Sequence, residues 1–266
     1  SSGDTITHFK SVYAGMGSFM LPVSMGEKYK AIVSTTEGIK KEFSLPEPEA
    51  NRLALSITER NGVIHYTILH TPQKKLSENL YLVAHIRGFL LFIQPIEKEQ
   101  GAISLQSVPE GILTLTLLDG NYLPHSERLA FVRRENNSVW KLTPDKSSYD
   151  SRSPVSLDIH LSDLSGQPIK GNFSLSVTDN YAIGCDSIGD NILSNLLLTS
   201  DLKGYIETPG YYFKNNTQRL KACLDNLMLT QGWSRFNVED LLKEQQTNPQ
   251  YFMEVGQFVS GKVLDI

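Results

Sequence analysis

Cysteine is scarce in this 266-residue chain, and with only Cys185 and Cys223 present a disulfide framework is excluded. One bond between the two stays open beside the simpler reading of two buried thiols. Neither sign of charge dominates, since 25 Lys and Arg against 29 Asp and Glu leave a formal net charge of -4 at pH 7. Basic residues cluster no further than Lys40-Lys41, Lys74-Lys75 and Arg133-Arg134, so the electrostatic footprint of a nucleic-acid binder is missing. Long apolar runs are missing as well. Phe89-Leu-Leu-Phe-Ile93 stops between Arg87-Gly88 and Gln94-Pro95, far short of the ~20 residues that span a bilayer. Ser1-Ser-Gly-Asp-Thr5 has neither the charged start nor the apolar core of a secretory signal. Any export signal is therefore expected upstream, in a longer protein from which this chain is cut.

Motifs of catalysis and ligand binding are equally scarce. No Gly-x-Ser-x-Gly elbow, Walker loop or dinucleotide fingerprint occurs, and Gly15-Met-Gly17 lacks the third glycine and the following helix that phosphate binding needs. It reads as a turn between strands. The six histidines, His8, His65, His70, His85, His125 and His160, include no i, i+4 helical pair that would put two nitrogens on one metal. Asp179, Asp186 and Asp190 bracket a loop whose spacing misses the calcium-loop pattern, and Asp190 is more simply a helix cap. No catalytic residue, metal or cofactor is assigned, and the chain is read as not an enzyme. The alternative is a site assembled from carboxylates distant in sequence.

What is present is alternation. Val155, Leu157, Ile159 and Leu161 alternate with Ser156, Asp158, His160 and Ser162, which is the period of a half-buried strand. Asp163-Leu-Ser-Gly166-Gln-Pro168 supplies a turn, and Phe173, Leu175 and Val177 resume the pattern as a neighbouring strand. Upstream, Leu53–Thr58, Val63–Leu69, Leu80–Ile86, Phe89–Ile96, Ala102–Leu105, Gly111–Leu118 and Arg128–Arg133 read as strands at the spacing of an Ig-like sandwich. Asn61-Gly62 tolerates the positive φ angles of a type I′ turn, so Leu55 and Ile57 should face Ile64, Tyr66 and Ile68 across a hairpin. Pro109-Glu-Gly111 is expected to open a second hairpin, and Trp140 to lie in the core. Further strands are expected at Ile6–Val12, Ser18–Pro22, Lys28–Val33 and Ile39–Leu45.

After residue 190 the period changes. Ile192, Leu193, Leu196 and Leu197 share one helical face with Gly204 placed to end it, and Leu220, Cys223, Leu224, Leu227 and Met228 form an i, i+3, i+4, i+7 stripe. A third helix is expected to start at Asn237. These helices are expected to cover a face of the last sandwich.

The fold class is thus mainly β, with tandem sandwiches and a small α-helical part near the C-terminus. Residues 1–48 are read as the closing strands of one domain, 49–142 as a complete sandwich, 143–254 as a further sandwich with the helical part, and 255–266 as the first strand of another domain. Asp145-Lys146, Tyr149, the run from Val155, Asp163 to Pro168 and Ser176-Val177-Thr178-Asp179 resemble the recurring β-sandwich domain of the macroglobulin family. Leu193–Phe213 and Leu224–Phe236 further resemble large exported envelope proteins of Gram-negative bacteria, in which such domains precede carboxypeptidase-regulatory-like and TonB-receptor plug-like regions. The internal thioester does not carry over, because neither Cys185 nor Cys223 lies in a Gly-Cys-Gly-Glu-Gln-type motif.

The resemblance implies a non-catalytic structural or binding module, exported to the periplasm or outer membrane and associated with TonB-dependent nutrient uptake. Its partner would be a protein or an envelope polysaccharide, with no nucleic acid and no membrane span in this chain. The residues picked for recognition are aromatic, Tyr211, Tyr212 and Phe213 with Trp233, because rings beside polar loops stack on sugars or anchor proteins. A glycan-binding module is therefore the second alternative. Packing between helices and sheet is the competing role for the same rings.

Overall fold

A computed structural model describes residues 4–71, 79–134, 138–170, 184, 186–231 and 238–242, with the backbone alone for 239 and 240. The chain is mainly β, with 38% strand against 14% helix, and its sheets are antiparallel. Strands β3 (Leu53–Arg60), β4 (Val63–His70) and β7 (Gln100–Ser104) form one sheet in the order β3-β4-β7. Strands β5 (Tyr81–Ile86), β6 (Phe89–Pro95), β8 (Gly111–Leu118) and β9 (Pro124–Val132) form a second in the order β6-β5-β8-β9. Leu55, Ile64, Tyr66 and Ile103 of the first sheet share one core with Leu82, Ala84, Ile86, Leu113, Leu115, Ala130 and Val132 of the second. Two pairs form separate two-stranded sheets, β1 (Lys30–Ser34) with β2 (Lys40–Ser44), and β10 (Ser138–Pro144) with β11 (Leu157–Asp163).

The Asn61-Gly62 turn forms as its residues require, with φ of 51° and 75°, and it sets Leu55 opposite Ile68 and Ile57 opposite Tyr66. Pro109-Glu-Gly111 does something else. Strand β7 pairs with β4 while β8 pairs with β5 and β9, so this stretch carries the chain from one sheet to the other and opens no hairpin. Residues 4–29 contain no strand among the described residues. They fold on side chains instead, with Phe9 stacked on Phe19 and a turn at Ala14-Gly15 that bridges Tyr13 to Met16. Trp140 lies in β10 and is 50% exposed, so it is not the core residue expected.

Helical segments follow residue 190. Helix α1 (Ile192–Ser194) runs into a π turn at Asn195–Thr199, a 3-10 turn covers Pro209–Phe213, and α2 (Gln218–Thr230) and α3 (Val238–Leu242) come after. The cap of α1 is Asn191, whose side chain accepts from the Leu193 and Ser194 amides, and not Asp190. The wider π turn also shifts the buried face: Leu198 is buried, while Ile192, Leu193 and Leu196 are exposed. The stripe on α2 is buried as its spacing demands.

Its partner differs from the expected one. Leu198, Leu224, Leu227 and Met228 pack on Ile112 and Leu129, and Val238 packs on Val83 and Leu118. The helical cap therefore covers the outer face of the sheet at β5, β8 and β9, where β8 places Ile112 and Leu118 beneath it, while Leu90 and Ile93 of β6 stay exposed. Polar pairs ring the contact: Arg87 with Asp201 at 2.8 Å, Arg128 with Asp225 at 2.6 Å and Lys221 with Glu59 at 3.0 Å.

Gly101 sits directly opposite Tyr66, and a Cβ added there would lie 2.3 Å from the Tyr66 ring. Tyr66 is 7% exposed and belongs to the shared core, so it has little room to withdraw. Gly101→Ala is expected to cost about 1–3 kcal/mol, as overpacking does. An unchanged urea midpoint would show that the ring moves aside freely.

Candidate functional site

The aromatic residues chosen from the sequence lie on the 3-10 turn at Pro209–Phe213. Thr208 enters it at φ 47° and ψ 58°, a left-handed conformation that costs a β-branched residue energy. Its hydroxyl is bonded to the Tyr13 hydroxyl, which holds the turn from outside. Gly210 is needed for space, because a Cβ there would fall 2.5 Å from the Gly189 carbonyl oxygen. Its amide donates to the Ile188 carbonyl at 2.9 Å, fixing the turn against the start of α1.

Tyr212 points inward. It is 1% exposed, within the core formed by Ile112, Leu129, Leu198 and the α2 stripe. Its hydroxyl is buried without a hydrogen-bond partner, and burial pushes its pKa well above the usual tyrosine value. Tyr211 and Phe213 are partly buried against the same core. The Tyr211 ring stacks on Tyr13 with centroids 3.7 Å apart, and Phe213 meets Phe131 edge-on at 5.8 Å. Arg133 donates to the carbonyls of Tyr212, Phe213 and Asn215 at 3.2, 3.1 and 3.0 Å, taking up acceptors that the end of the turn leaves free. The turn is a clasp joining residues 4–29, β9 and the cap. Trp233 lies outside the described residues, as do Phe236, Asn237 and the Phe173–Val177 and 255–266 stretches.

Tyr13, Phe131, Arg133 and Thr208 complete this cluster, and the sequence marks none of them as part of a recognition site. Only Tyr13 carried a local signal, standing just before the Ala14-Gly15 turn.

The aspartates that stand out electrostatically all close loops. Asp119 accepts from the Asn121 and Leu123 amides at 2.8 and 3.0 Å, and Asp163 from the Ser165 and Gln167 amides at 2.9 and 2.8 Å. Asp145 accepts from the Tyr149 hydroxyl and, at 3.0 Å, from the Ser156 amide. Asp190 takes the Ser194 hydroxyl and the Asn195 side-chain amide. These donors hold each carboxyl below its usual range; the leading donor is the Leu123 amide for Asp119, the Tyr149 hydroxyl for Asp145, and the Ser165 and Ser194 hydroxyls for Asp163 and Asp190. The Asp145-Lys146…Tyr149 motif is therefore a turn, completed by the Lys146 amide donating to the Tyr149 hydroxyl at 3.0 Å. The turn after β11 forms too, with Gly166 at φ 85° and Ser162 bridged to Pro168.

Among the described residues no group of three or more His, Cys, Asp or Glu side chains is placed to hold a metal ion, and no helix is long and apolar enough to cross a membrane. Cys223 is a buried free thiol, and Cys185 lies outside the described residues. Compared with models of known protein families and with curated proteins, the chain matches neither. What the geometry defines is a mainly-β protein with a helical cap clasped onto one sheet.

Tyr212→Phe removes a buried hydroxyl that has no partner and is expected to stabilise the fold by up to about 1–3 kcal/mol, the cost of leaving such a group unpaired. Tyr212→Ala should cost about 3–5 kcal/mol. Urea unfolding decides, and a destabilised Tyr212→Phe protein would mean that the hydroxyl is satisfied. For Asp145 the folded pKa is lowered, so its contribution is full above the unfolded value near 4 and falls away as pH drops below it. Asp145→Asn is expected to flatten that part of the acid dependence; an unchanged acid limb of stability against pH would refute the assignment.

Proposed function

We propose that this chain is a non-catalytic structural and binding module of a larger exported envelope protein, built from tandem Ig-like, macroglobulin-like β-sandwiches and associated with TonB-dependent nutrient uptake. The observation that carries the reading is that residues bearing the resemblance are occupied in building turns. Asp145, Lys146, Tyr149 and Ser156 bond to one another between β10 and β11, and Asp163, Gly166 and Pro168 shape the turn that follows. A motif spent on backbone geometry marks a kind of scaffold and not a kind of chemistry. The aromatic residues support the same reading, since Tyr212 and the stacked Tyr13–Tyr211 pair hold the cap in place.

The test is fractionation of the source cells with an antibody raised against this chain. Recovery in the outer-membrane fraction, with a β-barrel transporter co-purifying after mild detergent extraction, is the expected result. Recovery in the cytosol would overturn the proposal. A glycan array run with the purified chain separates the second reading: saturable binding abolished by Tyr211→Ala would move recognition onto the clasp.

A further inference from the structure

On β5, Leu82, Ala84 and Ile86 face the core shared with β3, β4 and β7, so Val83 and His85 face the cap. The register then fixes the neighbours of His85 on that outer face. It lies between Leu90 of β6 and Thr114 of β8, with Leu129 of β9 beyond; the next row is Ile93, Val83, Thr116 and Glu127. Ile112 and Leu129 belong to the apolar patch beneath Leu198 and α2, and Val83 and Leu118 to the patch beneath Val238. His85 and Thr114 fall between the two. They are 1% and 4% exposed, and both ring nitrogens of His85 are buried without a hydrogen-bond partner.

We propose that His85 is an acid-operated latch: when its ring takes up a proton, the helical cap leaves the outer face of the β6-β5-β8-β9 sheet. A neutral imidazole can stay buried between two apolar patches, but an imidazolium carries a charge and two donors that need water or a counter-ion. Strand β5 is hydrogen-bonded to β6 and β8 on its two edges and packed on the core behind, so the ring is reached from the outer face, where the two cap patches flank it. Burial holds the pKa of His85 down to about 4 in the capped state, against about 6.5 when hydrated. The capped state binds fewer protons than the open one. Its advantage is full above the hydrated value and is lost as pH falls through the window from about 6.5 to about 4.

The charged groups around this face act differently. Glu127 receives the Thr116 hydroxyl at 3.4 Å, and burial raises its carboxyl, so acid strengthens its contribution and opposes His85. Arg87 and Arg128 each face a cap carboxylate, Asp201 and Asp225. Side chains of Glu239 and Asp240 on α3 lie outside the described residues.

Hydrogen exchange of the whole chain, corrected for intrinsic rates, tests the latch between pH 7 and pH 4.5. Protection of amides in α2 should fall about fiftyfold in the wild type over that range. In His85→Leu it should change less than about threefold, and in Glu127→Gln it should fall at least as steeply as in the wild type. A His85→Leu protein that tracks the wild type would overturn the proposal. Because that variant could fail to fold, the ring of His85 is also followed by NMR in the unaltered protein. A midpoint below pH 5 supports the latch, and one near 6.5 overturns it.

Discussion

Strand β8 surrenders its whole surface, and the rest of the molecule is arranged to receive it. All eight of its residues are buried. Leu113 and Leu115 lie in the core against β3, β4 and β7, while Ile112 and Leu118 lie under the cap. A strand buried on both faces cannot stand in a two-layer protein with one face wet, and burying each of its apolar side chains is worth about 1.5–3 kcal/mol. The cap is thus the second half of a requirement that Gly111–Leu118 sets. Its rim of Arg87, Arg128 and Lys221 pairs gives direction to an attachment whose strength is apolar.

The parts legible from sequence were those that short range decides. Short apolar runs at strand spacing, with Asn61-Gly62 to set the register, are enough to locate β3 to β8, and the α2 stripe announces its buried face. Long-range pairing was not legible. Ile6–Val12 and Ser18–Pro22 read as strands between turns, yet a run becomes a strand only where a neighbour supplies hydrogen bonds, and these residues pack through Phe9, Phe19 and Tyr13 instead. An amphipathic helix shows that it needs a partner and not which one. The run Gly111–Leu118, with Ile112 and Leu118 on the face opposite Leu113, Leu115 and Leu117, held the clue that the helices belong to it.

The candidate site divides along the same line. Tyr211, Tyr212 and Phe213 could be picked out as an unusual aromatic run, but their role depends on Tyr13 and Arg133, roughly 80 to 200 residues away in sequence. The aspartates divide too: the turn at Asp163 is legible from Gly166 and Pro168, whereas the hold of Asp145 on the Tyr149 hydroxyl and the Ser156 amide shows only once its donors are in view. His85 gave no signal, because a histidine in a buried strand is conspicuous only when its partners are counted.

The order of synthesis gives the double burial of β8 a further meaning. When Gly111–Leu118 leaves the ribosome, its inner partners β3 to β7 already exist, but Leu198, Leu224 and Leu227 are still unmade. At 5–20 residues per second, roughly a hundred residues of further translation keep one apolar face of the sheet open for roughly 5–20 s. During that interval the nascent chain presents a surface suited to a chaperone.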